Sequence, residues 1–290
     1  VAEAFGGVTK AAVLSIGPED AIVRQVELPA MPSGELRQLL RLNSKNILQQ
    51  ELSNYVFDCH IFPPKAPTAK PEAKPAGGML KVKVLATGAR QQLVNDYTTA
   101  IKNAGLTAES IVPGLIGPLN AFEMALPEQF ASEAVALVDI GFKHSNICLL
   151  DQGELILSRG VSIGGDKLTT GLAEAMNISY AEAEGIKVGL APEAESLLEA
   201  QVAPLGRELR ASLDFFEHQQ DRPVSSVYVC GAAARSDMFL QMLRNEMIVE
   251  CKTWNPTTFL QMALPGQQAV EIEHIGPQLT VAIGAAVAAL

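Results

Sequence analysis

The stretch VALVDIGFKHSNICLLDQGELILSRGVSIGGDKLT, from Val135 to Thr169, decides the fold. Val135 to Val138 is a short apolar run that reads as a buried strand, and Asp139 and Gly141 fall where its C-terminal end turns. Ile147 to Leu150 resumes an apolar strand, Asp151-Gln152-Gly153-Glu154 makes the turn, and Leu155-Ile156-Leu157 returns antiparallel. Gly164-Gly165-Asp166-Lys167-Leu168-Thr169 then opens a helix running to Met176, with Asp166 as its N-cap. This order predicts a phosphate-binding β-hairpin. A carboxylate at Asp139 can hold a hydrated metal ion, Gly141 lets backbone N–H groups approach an anion, and Ser145 offers a hydroxyl to a phosphate oxygen. The helix start at Gly164 and Gly165 presents N–H groups to an anion. Each feature has a plainer alternative, since Asp-x-Gly and Gly-Gly also make ordinary tight turns.

Downstream, Ser179 to Val188 reads as a short helix with a capping box, Ser179 and Glu182. Glu184 and Lys187 share a face at i, i+3, as a surface ion pair or as polar contacts to a ligand. A helix from Ala203 to His218 places Leu205, Leu209, Leu213 and Phe216 on a core face. Val224 to Cys230 is a buried strand that enters Gly231-Ala232-Ala233-Ala234 before a helix near Asp237. Strand, small-residue loop and helix let a nucleotide base or ribose lie against backbone at Gly231 and Ala232, or serve close packing. Trp254 to Ala263 and Gln278 to Leu290 complete an α/β half.

Upstream, strands over Ala11–Ile16 and Ile22–Leu28 flank a Gly17-Pro18-Glu19-Asp20 turn, and a helix from Ser33 to Gln50 faces inward through Leu36, Leu39, Leu40 and Ile47. A strand follows at Tyr55–Phe62, carrying His60. Residues 63 to 78, PPKAPTAKPEAKPAGG, have almost nothing to bury and read as a loop or linker. Met79–Thr87 returns as a strand, Gln91–Asn103 is an amphipathic helix closed by Gly105, and Ile111–Ala125 looks like a packed connector before a short helix.

The 290 residues are 48% hydrophobic and 19% charged, enough for a sizeable core in one large domain or two. A formal net charge of −10 without any basic run argues against nucleic acid as a partner. The four cysteines are widely spaced, with no CxxC pair or zinc pattern, which fits a reducing, cytoplasmic compartment. No stretch has the roughly 18 to 20 apolar residues of a membrane span, and the N-terminus lacks signal-peptide regions. Opening at Val1 in mid-pattern, the sequence reads as a fragment. No serine, cysteine or histidine constellation points to hydrolase chemistry, and adjacent strand residues such as His144 and Ser145 point to opposite faces.

The Asp139-Ile140-Gly141 hairpin, the Gly164-Gly165-x-x-Leu168-Thr169 helix start, the Ala183-Glu184-x-x-Lys187 helix and the Tyr228-Val229-Cys230-Gly231 loop, in this order, resemble the PilM and FtsA branch of the actin-like ATPase superfamily. The resemblance extends over nearly the whole chain. It implies an α/β, actin-like (ribonuclease H-like) two-domain fold with a small α+β inserted subdomain, the first main domain being incomplete at its N-terminus. Residues 1–10 and 86–132 would be the remainder of the first actin-like domain. Residues 11–85 would be the insert, with its Pro-rich loop at 63–78, and 133–290 the second actin-like domain.

The resemblance further implies a bacterial, cytoplasmic scaffold of type IV pilus or related secretion assembly, peripheral to the inner membrane through a partner. That partner would be the cytoplasmic tail of a PilN-like inner-membrane protein, held between the first main domain and the insert, alongside other pilus assembly proteins. ATP with Mg2+ is the implied cofactor: Asp139 near the metal, Gly141 and Ser145 on the second phosphate loop, Gly164 and Gly165 at phosphates or ribose, Glu184 and Lys187 at ribose and base, and Gly231 with Ala232 behind the adenosine. The chain departs from the family in lacking an Asp-x-Gly near its N-terminus, in placing Phe142 and Lys143 where small residues are usual, and in reading Gly-Ala-Ala for Gly-Gly-Gly. These departures imply nucleotide binding that is weak or absent, and at most weak ATPase activity. The alternatives are an FtsA-like, polymer-forming cell-division protein and an active ATPase or kinase of the same fold, the latter requiring a general base aimed at a substrate hydroxyl.

Overall fold

The computed structural model describes residues 10–63, 80–189 and 194–289. The Pro-rich stretch beyond Pro63 and the first nine residues lie outside the described residues. The chain divides into two compact units, Val1–Pro113 and Gly114–Leu290.

In the first unit, β2 (Ala21–Pro29), β4 (Lys81–Arg90) and β3 (Tyr55–Ile61) form an antiparallel sheet in the order β2-β4-β3. Helix α1 (Ser33–Ile47) packs on it through Leu36 and Leu40, both fully buried, with Val84 and Ala86 beneath. Each leucine removed from water in this way contributes about 1.5–3 kcal/mol. Pro29, which has no N–H to donate, ends an edge strand, where the missing bond is tolerated.

Two features differ from the sequence reading. Strand β1 (Ala11–Ile16) does not pair with β2 across the Gly17–Asp20 turn. It runs parallel to β5 (Thr107–Pro113) in a separate two-stranded sheet, with α2 (Gln91–Asn103) alongside. β5 itself occupies the start of the segment read as a connector: the half-buried Ala108, Ile111 and Val112 supply strand character that Pro113 and Gly114 mask in the sequence.

The second unit is built on a five-stranded sheet in the order β10-β9-β6-β7-β8. Its strands are β6 (Ala134–Ile140), β7 (Ser145–Asp151), β8 (Glu154–Val161), β9 (Ser226–Gly231) and β10 (Cys251–Thr253). β6–β7–β8 is an antiparallel meander, whereas β9 joins β6, and β10 joins β9, in parallel. The central strands are buried along nearly their whole length, so they read as continuous apolar runs rather than alternating ones.

Alternate side chains nevertheless serve different layers. Ala134, Ala136, Val138 and Ile140 of β6 pack into the core made with α5 (Gly165–Met176), α7 (Glu195–Gln220) and α8 (Asp237–Met247). On the opposite face, Tyr228 meets Phe122 at 4.7 Å between ring centroids and Phe122 meets Trp254 at 5.2 Å. That face is covered by α3 (Gly117–Ala125) and α10 (Thr280–Val287), whose backbones come so close that a Cβ on Gly117 would lie 2.7 Å from the Val281 carbonyl oxygen.

Helix α7 begins eight residues before the expected Ala203 and carries Pro204 in its interior. Buried Leu198 and Val202 on its first turns supply the packing that holds it together across the proline. The remaining elements are α4 (Pro127–Ser132), α6 (Tyr180–Gly189) and α9 (Gly266–Ile275).

Candidate functional site

All the residues singled out in the sequence lie in the second unit, around the hairpin loop Gly141–His144 and the start of α5. The hairpin register sets which of them share a face. Ile140 pairs with Ser145 and Asp139 with Asn146, so Asp139 and Asn146 point to the α3/α10 side while Ser145 points into the α5/α7 core. Ser145 is completely buried and its hydroxyl donates to the Ile163 carbonyl at 2.6 Å. The structure therefore does not bring Ser145 and Asp139 to one surface.

The Gly141–His144 loop is clamped to the helix start by backbone bonds. Gly141 N–H donates to His144 O at 3.0 Å, Gly165 N–H to Gly141 O at 3.0 Å and Asp166 N–H to Phe142 O at 2.8 Å. These are N–H groups that a helix terminus would otherwise offer an anion, so the loop acts as the cap of α5. Gly164 is the N-cap residue, two residues earlier than expected. Asp166 sits in the first turn and accepts the Tyr180 hydroxyl at 2.9 Å. Gly164 has to be glycine because a Cβ there would run into the carbonyl oxygens of Phe142 and Gly141. The Phe142 side chain is 63% exposed.

Glu184 and Lys187 are brought to the same place from α6. Lys187 Nζ lies 2.7 Å from Glu184, donates to Thr169 Oγ1 at 2.7 Å and to the Gly165 carbonyl at 3.2 Å. Thr169, fully buried, lies within hydrogen-bond reach of both Gly165 O and the Glu184 carboxylate. Burial pushes the Glu184 pKa up, but the hydrogen bonds from Lys187 and Thr169 and the lysine charge outweigh it, and the net shift is downward. This network ties α6 to the first turn of α5. Thr169 is the member that sequence reasoning left without a role, and its spacing of four from Gly165 on one helix is the signal that would have found it.

Asp139 lies half-buried beside β9, accepting hydrogen bonds from the Asn146 amide and, at 3.8 Å, the Cys230 thiol. Burial raises its pKa, and the two donors offset this only in part. Cys230 is itself raised well above the ordinary thiol value, by burial first and then by the Asp139 charge. Asn146 Oδ1 is buried without a partner among the described residues. Asn146 also escaped the sequence reading, although counting back from the hairpin turn pairs it with Asp139. Gly231 follows Cys230 with φ +90, in the left-handed region, and a Cβ there would overlap the Ile140 carbonyl. Ala232, exposed, opens a 3-10 turn that Ser236 ends by capping α8 through the Phe239 N–H.

The N–H donors of Gly165 and Asp166 are taken, the Ser145 hydroxyl is turned inward, and burial raises the Asp139 pKa. Among the described residues no group of three or more His, Cys, Asp and Glu could hold a metal ion. The half-exposed Glu184 and the exposed Ala232 remain open to contact from solvent.

The meander, the parallel β9 and β10 and the clamped hairpin loop define an actin-like fold. A solved structure described as the PilM-PilN type IV pilus biogenesis complex superposes with a TM-score of 0.80 at 21% identity, over 97% of this chain and 80% of that one. Residues 1–289 match the model of the family described as type IV pilus assembly protein PilM, and the chain belongs to that family. The cell division protein FtsA of Bacillus subtilis (strain 168) is 29% identical over 103 residues, 36% of this chain. The chain thus spans only 22% of that curated relative's length. MreB5 of Spiroplasma citri bound to ADP is a more distant likeness, with a TM-score of 0.47 at 11% identity over 68% of this chain and 64% of that one. Among the described residues no helix is long and apolar enough to cross a membrane.

Proposed function

We propose that this chain is a cytoplasmic scaffold of type IV pilus assembly, attached to the inner membrane through the tail of a PilN-like protein, and that it works without a tightly bound nucleotide. The observation that carries this reading is the family match over the whole chain, joined by a groove in the first unit. A cavity of about 320 Å³ lies between the β2-β4-β3 sheet and the β1–β5 pair, walled by Val56, Val94, Ile111 and Pro113 and lined also by Asp58 and Glu109. Apolar walls with two carboxylates suit a short extended tail that carries apolar side chains and a basic residue.

The test is calorimetry with a synthetic tail peptide from the PilN-like protein of the same bacterium. One-site binding is expected, weakened at least about tenfold by Val94→Asp, a change of half-buried surface that introduces an unpaired charge into the groove. Failure of the wild-type chain to bind, or equal binding by a folded Val94→Asp variant, would contradict the proposal.

Any nucleotide would lie in the second unit, with its phosphates toward Gly141, Gly164 and Gly165, its ribose and base toward Glu184 and Lys187, its adenosine against Gly231 and Ala232, and magnesium near Asp139. The occupied N–H groups at the start of α5 support weak binding or none, and therefore a scaffold rather than an ATPase. The FtsA similarity supports a second reading, a polymer-forming protein. Sedimentation with and without ATP separates the two, because a scaffold stays small in both.

A further inference from the structure

The first unit carries a second cavity, of about 540 Å³, at the outer edge of β3. Its lining includes Arg37, Gln38 and Arg41 of α1, Tyr55 and Phe57 of β3, and Gln91 at the start of α2, and contains no acidic residue. In a chain of net charge −10 this is a locally cationic place. Arg37 is steadied by Asp58, which accepts from its Nε at 2.8 Å. Arg41 is exposed and has no hydrogen-bond or ion-pair partner among the described residues. A third guanidinium, Arg90, hydrogen-bonds the Tyr55 hydroxyl.

β3 is the last strand of its sheet, so one side of its backbone is unpaired. Which groups face outward follows from the bonds at its two ends. Gln91 N–H donates to Asn54 O at 2.9 Å and Phe62 N–H to Lys83 O at 3.0 Å, so the even-numbered residues bond to β4. The N–H and C=O groups of Tyr55, Phe57, Cys59 and Ile61 therefore point away from the sheet. The Cys59 N–H is already taken by the Asp58 carboxylate at 2.7 Å. Of the others, Tyr55 and Phe57 line the cavity. Their side chains pack toward α1, which lies along the strand with Ser33 O near Cys59 Sγ at 3.7 Å. The unpaired backbone thus runs beside the arginine-bearing face of α1.

We propose that this edge binds an extended acidic segment of a partner protein, which adds a strand to β3 and sets alternate carboxylates against Arg37 and Arg41. The spacing supports it. Residues four apart on a helix are separated by about 6 Å along the axis, and alternate residues of a strand by about 6.7 Å. A Glu-x-Glu segment laid along β3 therefore meets both guanidinium groups, with main-chain bonds giving affinity and the arginines giving selectivity. Open strand edges are usually blunted by charge or cover, and here, among the described residues, the acidic blunting comes from Asp58, beyond Tyr55 and Phe57. The cavity shares Val56 and Phe57 with the apolar groove assigned to the membrane-protein tail, but the two tests read different groups, Arg41 here and Val94 there.

The experiment uses the 290-residue chain and three fluorescein-labelled, end-blocked nonapeptides built from Thr and Val with Glu-x-Glu, Lys-x-Lys or Glu-x-x-Glu at the centre. Fluorescence anisotropy at low salt is expected to show saturable binding of Glu-x-Glu, at least about tenfold tighter than either other peptide. Arg41→Glu, an exposed change that leaves the core intact, should abolish that preference. The Tyr55 and Phe57 amide resonances should shift on titration. Absence of saturable Glu-x-Glu binding, equal binding of the lysine peptide, or binding unchanged by Arg41→Glu would overturn the proposal.

Discussion

Asp139 shows how one buried carboxyl couples the site to pH. Its folded-state pKa is raised, chiefly by burial, so its contribution to stability is fully present below the unfolded carboxylate value and declines as pH rises through the folded one. Asp139→Asn should therefore melt higher than the parent at pH 7 and converge with it in acid, as scanning calorimetry would show. Glu184 behaves oppositely. Its pKa is lowered, so what it contributes is present above the ordinary carboxylate range and lost as pH falls through the folded value. Because its side chain is 41% exposed, Glu184→Gln should lower stability at pH 7 by no more than about 1 kcal/mol. Ile248 offers a gain: a β-branched residue at φ +58, 86% exposed, where glycine is the natural terminator. Ile248→Gly should raise stability by about 1 kcal/mol in denaturant titration, since no buried surface is lost. The strand-end position of Asp139 and, by counting across the hairpin turn, its pairing with Asn146 were legible in the sequence, but its contact with Cys230 was not, because that depends on a strand far along the chain.

At the scale of elements, the loop between β6 and β7 does for α5 what a side-chain cap does elsewhere. Gly165 and Asp166 amide hydrogens should exchange slowly in the free protein and stay unshifted on addition of millimolar inorganic phosphate in NMR spectra. Fast exchange, or a phosphate-induced shift, would mean that the clamp opens and the helix start is available. Gly231→Ala forces a side chain into a positive φ against the Ile140 carbonyl and should cost at least about 2 kcal/mol. The meander β6–β7–β8 and the helix start at Gly165 could be read from apolar runs, the Gly153 turn and the Gly-Gly pair. β1 was recognised as a strand but placed with the wrong neighbour. Its turn to β2 looked local, whereas its partner β5 lies about ninety residues on, and chain proximity carries no information about parallel pairing. α7 was expected from Ala203 and begins instead at Glu195, because buried packing on both sides of Pro204 overrides local propensity.

For the whole molecule, both proposed binding surfaces lie on the first unit and the residues linked to nucleotide lie on the second. The ordered motifs of the second unit made the family legible, since a strand, hairpin, glycine-led helix and small-residue loop in fixed succession leave few other folds. The features that motivate the proposal of weak nucleotide binding were legible only in part. Phe142 and the Gly-Ala-Ala loop hinted at it, but the inward turn of Ser145 and the capping of α5 by its own loop are tertiary facts. The central claim is that partner binding does not depend on nucleotide. The direct measurement is calorimetric titration of the chain with the PilN-like tail peptide, with and without 5 mM ATP and magnesium (about ten times an ordinary KM). The account predicts the same affinity in both titrations and no resolvable heat from ATP alone. Tail binding that appears only with ATP would contradict it.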